Sequence, residues 1–443
     1  MRNTRTIRRG ALVAVAVATA IATMTGCSAG GGGGTDAAAG DGTGEIDVWA
    51  HQGQDSENAA LQAAVDGFNS SQDEVTAKLR IISGDTYTTT ITSTPKDQLP
   101  DVLEIDGPTL ASFVYNDKIT PISDFVDQAT LDNATPGSVA EGTSDDELYA
   151  LAMFDSAMGL YGNKTLLDAS GISVPTSFDT AWTADEFSAA LKTLAAANPS
   201  GKSIDLNEAS LSGEWGTYGF APLIQSAGGN LIEDGKAAGA VDSDASVQAL
   251  TDFASWKDYS DPNSDGNAFV DGRVAVAWGG HWNYPTFSEA LGENLVALPL
   301  PDFGDGAKAG AGSWTWGIGS GTKNGDAAGA FLDYLLNDQN VGAMTTANGA
   351  PPATKTAFAA DALYQDGGGL ALWGQQLANA CAADAITDDC IAVYRPVTAG
   401  YPTITAKFSG ALAAVWGGAD PKESLTDAAT AIDQSFADND DYK

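Results

Sequence analysis

The chain has 443 residues, with 58 acidic against 21 basic side chains and 43% hydrophobic residues. That length exceeds one ordinary hydrophobic core, so two compact lobes or domains are expected, each with ample apolar surface to bury. A formal charge of −37 makes nucleic acid a poor partner, since phosphates call for a basic face, and it favours a neutral or cationic ligand over a strongly anionic one.

Arg2, Arg5, Arg8 and Arg9 precede the apolar run ALVAVAVATAIATMT, and small residues lead to Gly26-Cys27. Basic, apolar and small segments in that order predict a secretory signal over 1–26, too short to be a good spanning helix. Arg8-Arg9 also permits a twin-arginine reading. The MTGC stretch resembles the lipobox of bacterial lipoproteins, with Met24 and Thr25 where Leu and Ala or Ser are usual. That resemblance implies a lipid on Cys27 as the new N-terminus and a body held at the outer face of the cell membrane. Removing 1–26 would leave 17 basic residues against 58 acidic ones. Residues 27–44 are rich in Gly and Ala and cannot bury a core, so they read as a flexible tether with a reach of roughly 20–25 Å.

The body opens with EIDVWAH at 45–51, an alternating strand that breaks at His51-Gln52-Gly53. In SENAALQAAVDGFNSS, Ala60, Ala64, Val65 and Phe68 recur at helical spacing behind Ser56 as cap, with Asn69-Ser70-Ser71 as the stop. A strand around AKLRIIS, a helix through the nineties and the short apolar strand PDVLEIDGP follow. Strand, helix, strand, helix, strand describes an α/β lobe with a largely parallel sheet. In such sheets ligands bind beyond the carboxyl ends of the strands, which selects the loops His51 to Gln54 and Asp106 to Pro108.

From residue 145 onward the phrases gain an order of their own. DDELYALAMFDSAMGLYGNKTLLDASGISVP, FVDGRVAVAWGGHW, LVALPLPDFG, GSWTWGIGSGTKNGDAAGAFLDYLLND and NGAPPATKTAF together resemble the extracellular solute-binding proteins of ABC importers, family 1. The resemblance runs over nearly all of 45–435. It implies an α/β, two-lobed periplasmic-binding-protein-like fold of type II, with a ligand cleft between lobes joined by hinge strands. Residues 45–152 and 302–342 would form lobe I, and 153–301 and 343–443 lobe II. It also implies a monomeric receptor, without a cofactor, that passes a neutral saccharide to the membrane subunits of an ABC permease.

Sugars have apolar CH faces and hydroxyl edges, so flat aromatics plus hydrogen-bonding side chains suit them. Trp314 and Trp316 lie two apart, on one face if SWTWGIG is a strand; the resemblance turns that face toward the cleft. Trp282, after Gly280 in WGGHW, falls on an aromatic that the family supplies from the second lobe. Glu214, Trp215 and Tyr218 lie near its other second-lobe aromatic. His51, Gln52, Asp106, Asp155 and Arg395 stand in or just after strands or crossovers facing the expected cleft. Each has an ordinary alternative as a core aromatic, a loop cap or a surface charge.

With Cys27 lipidated, Cys381 and Cys390 form an even pair that an exported compartment can oxidise, closing a ten-residue loop. A redox or metal pair lacks both CxxC spacing and a nearby histidine. DPNSDG at 261–266 opens like a calcium loop, but Gly272 stands where a bidentate Glu is needed. ANPSGKS has Ala196 in place of the first glycine of a phosphate-binding loop, and no Gly-x-Ser-x-Gly elbow occurs. A secreted glycoside hydrolase is the enzymatic alternative, since it too would be acidic and rich in tryptophan, and an adhesin or sensor on the same fold is a third.

Overall fold

Ile46, Val48 and Ala50 are fully buried along the strand Gly44–His51, while Glu45 and Asp47 between them are exposed, the period-two pattern of a strand lying on a core. The computed structural model describes residues 37–263 and 265–442. The signal 1–26, Cys27 and the first part of the tether lie outside the described residues.

The helix Asp55–Ser71 buries Leu61, Ala64, Val65 and Phe68, one face at helical spacing. Its cap position is Gln54, so the helix starts before Ser56. Strand Val75–Ile82 pairs parallel with Gly44–His51 on one side, and Val102–Asp106 pairs parallel on the other. The second connecting helix is Gly84–Ser93, mostly ahead of the nineties. Parallel neighbours need such crossovers. From Val102–Asp106 onward the sheet departs from the parallel expectation, because Trp314–Gly319 closes it antiparallel to Val102–Asp106, Ile119–Thr120 and Ala150–Ala152. A strand returning from more than 200 residues downstream is free to enter in either direction.

A second sheet runs in the order Leu295–Leu298, Met158–Asn163, Val276–Gly280, Ile204–Asp205. Phe187, Phe220, Phe253, Trp256 and Trp278 fill its core together with the helices Glu214–Ser226 and Tyr401–Trp416. Phe220 stacks on Trp278 with centroids 5.2 Å apart. A small sheet, Ala309–Ala311, Ala392–Tyr394 and Ala380–Cys381, carries the Cys381–Cys390 disulfide, whose Cα atoms are 5.8 Å apart.

The packing shows where the chain passes from one core to the other. Met153 and Phe154 pack in the first core and Met158 in the second. Phe303 and Ala309 still pack with the second core, and the return comes with the strand Trp314–Gly319. Val341, Met344 and Ala357 pack in the first core, and Tyr364 with Tyr161 and Trp373. The expected lobe boundaries at 301/302 and 342/343 therefore both fall early. The second of them would cut the helix Asp338–Asn348, whose buried face fixes it to the first core as a unit.

Candidate functional site

Beyond the carboxyl ends of Gly44–His51 and Val102–Asp106 lies a cavity of about 430 Å³. His51, Asp106 and Trp314 approach it from the first sheet, Glu214, Trp215 and Tyr218 from the helix Glu214–Ser226, and Trp282 from the helical turn His281–Asn283 that follows the strand Val276–Gly280. Arg395, just past the strand Ala392–Tyr394, also lines it.

Trp314 begins its strand opposite Asp106. The His51 ring stacks on it, centroids 3.9 Å apart and planes within 8°, and Tyr87 meets it edge-on at 5.8 Å. His51 Nδ1 lies 2.7 Å from Glu104 Oε2. Burial lowers the affinity of this imidazole for a proton, but the charge and hydrogen bond of Glu104, aided by Glu57 and Asp106, outweigh it and leave the pKa raised. The stacked imidazole and the edge-on Tyr87 ring together hold Trp314 in one orientation.

On the opposite wall, Trp282 depends on the two glycines before it. A Cβ on Gly280 would lie 2.2 Å from the Trp282 ring, and one on Gly279 would lie 2.3 Å from Asn283 Oδ1. Only glycine leaves room for so close an approach. Trp215 meets Trp282 edge-on at 5.8 Å and is itself held by an Nε1 hydrogen bond to the Leu206 carbonyl at 3.1 Å. Gln54 Nε2 donates to the Trp282 carbonyl at 2.6 Å, linking the two sides of the cavity.

Arg395 ties the floor together. Its Nη2 is 3.0 Å from Asp106 Oδ1 and its Nη1 2.8 Å from Glu214 Oε1, while its Cζ sits 4.9 Å from the Tyr218 ring centroid. Tyr401 and Thr405 hydroxyls donate to the two oxygens of Glu214. Burial, reinforced by the Glu214 charge, pushes Asp106 up to about 6 against the pull of Arg395 and His51. Arg395 Nε and Ser313 Oγ are buried without a hydrogen-bond partner, an arrangement that a ligand hydroxyl could complete.

Three expected site residues are elsewhere. Trp316, two positions from Trp314, is 1% exposed and belongs to the first core. Gln52 is exposed, and Gln54, fixed at the start of the helix Asp55–Ser71, takes its place at the cavity. Asp155 is not among the residues lining this cavity: Phe154 and Ser156 are, whereas Asp155 lines a neighbouring, mostly apolar space of about 670 Å³ that shares Arg395 with it and includes Glu141 and Tyr394. Burial pushes Asp155 up to about 6, the Ser156 amide and Tyr394 hydroxyl offsetting only part of the shift. Glu57, Ser156 and Ser313 join the lining without having been expected; Ser156, directly after Asp155, and Ser313, directly before Trp314, could have been indicated by adjacency in sequence.

The profile of the bacterial extracellular solute-binding protein family matches residues 63–371. The chain belongs to that family. No curated protein sequence matches it. Among solved structures, this solute-binding protein is similar to the GacH receptor of Streptomyces glaucescens, described unliganded and in complex with acarbose, at 20% identity and a TM-score of 0.74 over 90% of this chain and 100% of that one. It is also similar to the cyclic alpha-maltosyl-1,6-maltose binding protein of Arthrobacter globiformis (21% identity, TM-score 0.69, 89% and 100% covered). Maltose-bound MalE3 of T. maritima matches at 18% identity with a TM-score of 0.73 over 88% and 99%. At these identities the likeness establishes the two-lobed α/β fold.

Proposed function

We propose that the protein is the receptor of an ABC importer that captures a neutral sugar or oligosaccharide between its two lobes and delivers it to the permease. The observation that carries this reading is that Trp314 and Trp282, which pack against different cores, line one cavity with Asp106, Arg395 and Glu214. Indoles suit the apolar faces of a sugar, and a guanidinium between two carboxylates offers donors and acceptors to its hydroxyls. The ligands named for the similar receptors, acarbose and maltose, are of this chemical class. A hydrolase is the weaker reading, because Asp106 and Glu214 are both paired with Arg395, whereas glycoside cleavage uses two carboxyl groups flanking the bond. A panel of neutral sugars should raise the melting temperature of the purified protein without being cleaved, since a ligand of the native state stabilises it by mass action. Turnover of the sugar, or a shift given by peptides alone, would contradict the reading.

The receptor is proposed to act as a monomer, anchored by lipid on Cys27 at the outer face of the membrane. Replacing Cys27 by Ala should abolish lipid labelling and release the protein into the medium. Retention on membranes washed in high salt would contradict the anchor.

A further inference from the structure

The cavity between Trp314 and Trp282 has a neighbour. A second cavity, of about 290 Å³, shares Trp215 and Trp282 with the first and reaches between the segments 205–210 and 261–266 of the second lobe. The two indoles thus form a common wall, with one space on the Trp314 side and the other beyond.

The lining of the second space is rich in polar groups with capacity to spare. Asp205 Oδ1 accepts from the Asn207 amide at 3.0 Å and Glu208 Oε2 from the Ser260 hydroxyl at 2.9 Å, leaving each carboxylate a second oxygen. Asn283 Oδ1 accepts from the Gly280 amide at 3.2 Å, and Asn207 Oδ1 is the acceptor for Ser210 at 3.5 Å, so both side-chain NH₂ groups remain as donors. Acceptors and donors thus share the lining with two indoles, which suits adjacent hydroxyls on a pyranose ring, because each hydroxyl can donate once and accept twice. A cation is a poor fit for the same space. Asp261, Asp265 and Asp271 are drawn together by Arg273 at 3.0, 2.5 and 2.8 Å, and no group of metal-ligating side chains occurs among the described residues.

We propose that this second cavity is a further saccharide subsite, so that the ligand is an oligosaccharide whose chain runs from Trp314 past the edge of Trp282 to Asn207 and Glu208. The inference rests on the sugar reading given above and adds the length of the ligand and the residues that select for it. Gly279 and Gly280 then serve both spaces, one by seating Asn283 and the other by seating Trp282.

The test is a set of titrations by calorimetry with homologous series from monosaccharide to tetrasaccharide: maltodextrins, isomaltodextrins, cellodextrins and xylo-oligosaccharides. In the series that binds, affinity should rise about tenfold or more when the chain becomes long enough to cross Trp282, the gain expected when a ligand adds hydrogen bonds to charged and amide groups. Asn207→Gly removes the carboxamide while suiting the φ of 50° at that position, and Glu208→Ala removes the carboxylate. Either should erase the gain for the longer chains and leave the shorter ones unchanged, whereas Trp314→Ala should weaken every length. Equal affinity at all lengths, or a uniform loss in Asn207→Gly and Glu208→Ala, would overturn the subsite while leaving the sugar reading standing. Absence of binding across all four series would overturn both.

Discussion

Replacing Arg395 by Ala is expected to cost roughly 3–5 kcal/mol of folding stability, the range for removing one partner of a buried ion pair. The Arg395 side chain is 7% exposed and lies between Asp106 and Glu214 at 3.0 and 2.8 Å. Without it, Asp106 loses its ion-pair partner and keeps only the pull of His51, and Glu214 keeps only the Tyr401 and Thr405 hydroxyls. The loss should depend on pH. Asp106 is held at about 6, above its ordinary 3.8, so the native state binds this proton more readily than the unfolded chain, and stability from this group falls as pH rises between about 4 and 6. Removing Arg395 drives the carboxyl higher still, so the part of the deficit that comes from Asp106 should be smaller near pH 4 than at pH 7. His281, buried and lowered to about 4, has the opposite pH trend in that window, but it is common to both proteins and cancels in the difference. Urea denaturation at the two pH values measures this directly. Equal deficits at pH 4 and pH 7 would show that the triad is not the source of the loss.

Trp316→Ala is expected to destabilise the protein by about 3–5 kcal/mol, as truncation of a large core aromatic does. Trp316 pairs across the sheet with Glu104 and also with Leu151, and it is enclosed by the first core. The same change at Trp314 should leave the apo melting temperature close to wild type, because that indole begins the strand and opens onto the cavity. Thermal melts of both variants without ligand separate the two positions. Comparable destabilisation by both would make the whole SWTWG stretch a core strand.

The difference between those tryptophans marks how far the sequence could be read. Spacing of two gives them the same parity, but not the same depth. Trp316 sits between two paired neighbours, whereas Trp314 stands at the strand end opposite Asp106, and the end of a strand is fixed by its partners. The run from Ile46 to Asp106 was legible because each element carries its own period: alternation in Gly44–His51, helical spacing in Asp55–Ser71 and continuous burial in Val102–Asp106. The aromatic at Trp282 was legible through its preceding glycines. Asp155 was not, because the crossover from Met153 to Ala157 is an irregular segment whose facing is set by contacts such as its amide to the Pro351 carbonyl at 2.8 Å. Gln54 fell within the selected loop His51 to Gln54 but Gln52 was singled out in its stead, because Gln54 is placed by the start of the helix rather than by the end of the strand. Likewise the lobe boundaries follow from which core the helix Asp338–Asn348 covers, a long-range choice that local pattern does not encode.

The most direct measurement is a calorimetric titration of wild type, Trp314→Ala and Trp282→Ala with the neutral sugar that most raises the melting temperature. If the two indoles grip the ligand from opposite lobes, wild type binds saturably and each variant, folded as well as wild type, loses roughly 1–3 kcal/mol of binding free energy, the usual range for truncating a central contact residue. Unchanged affinity in both variants would contradict the placement of the ligand between Trp314 and Trp282.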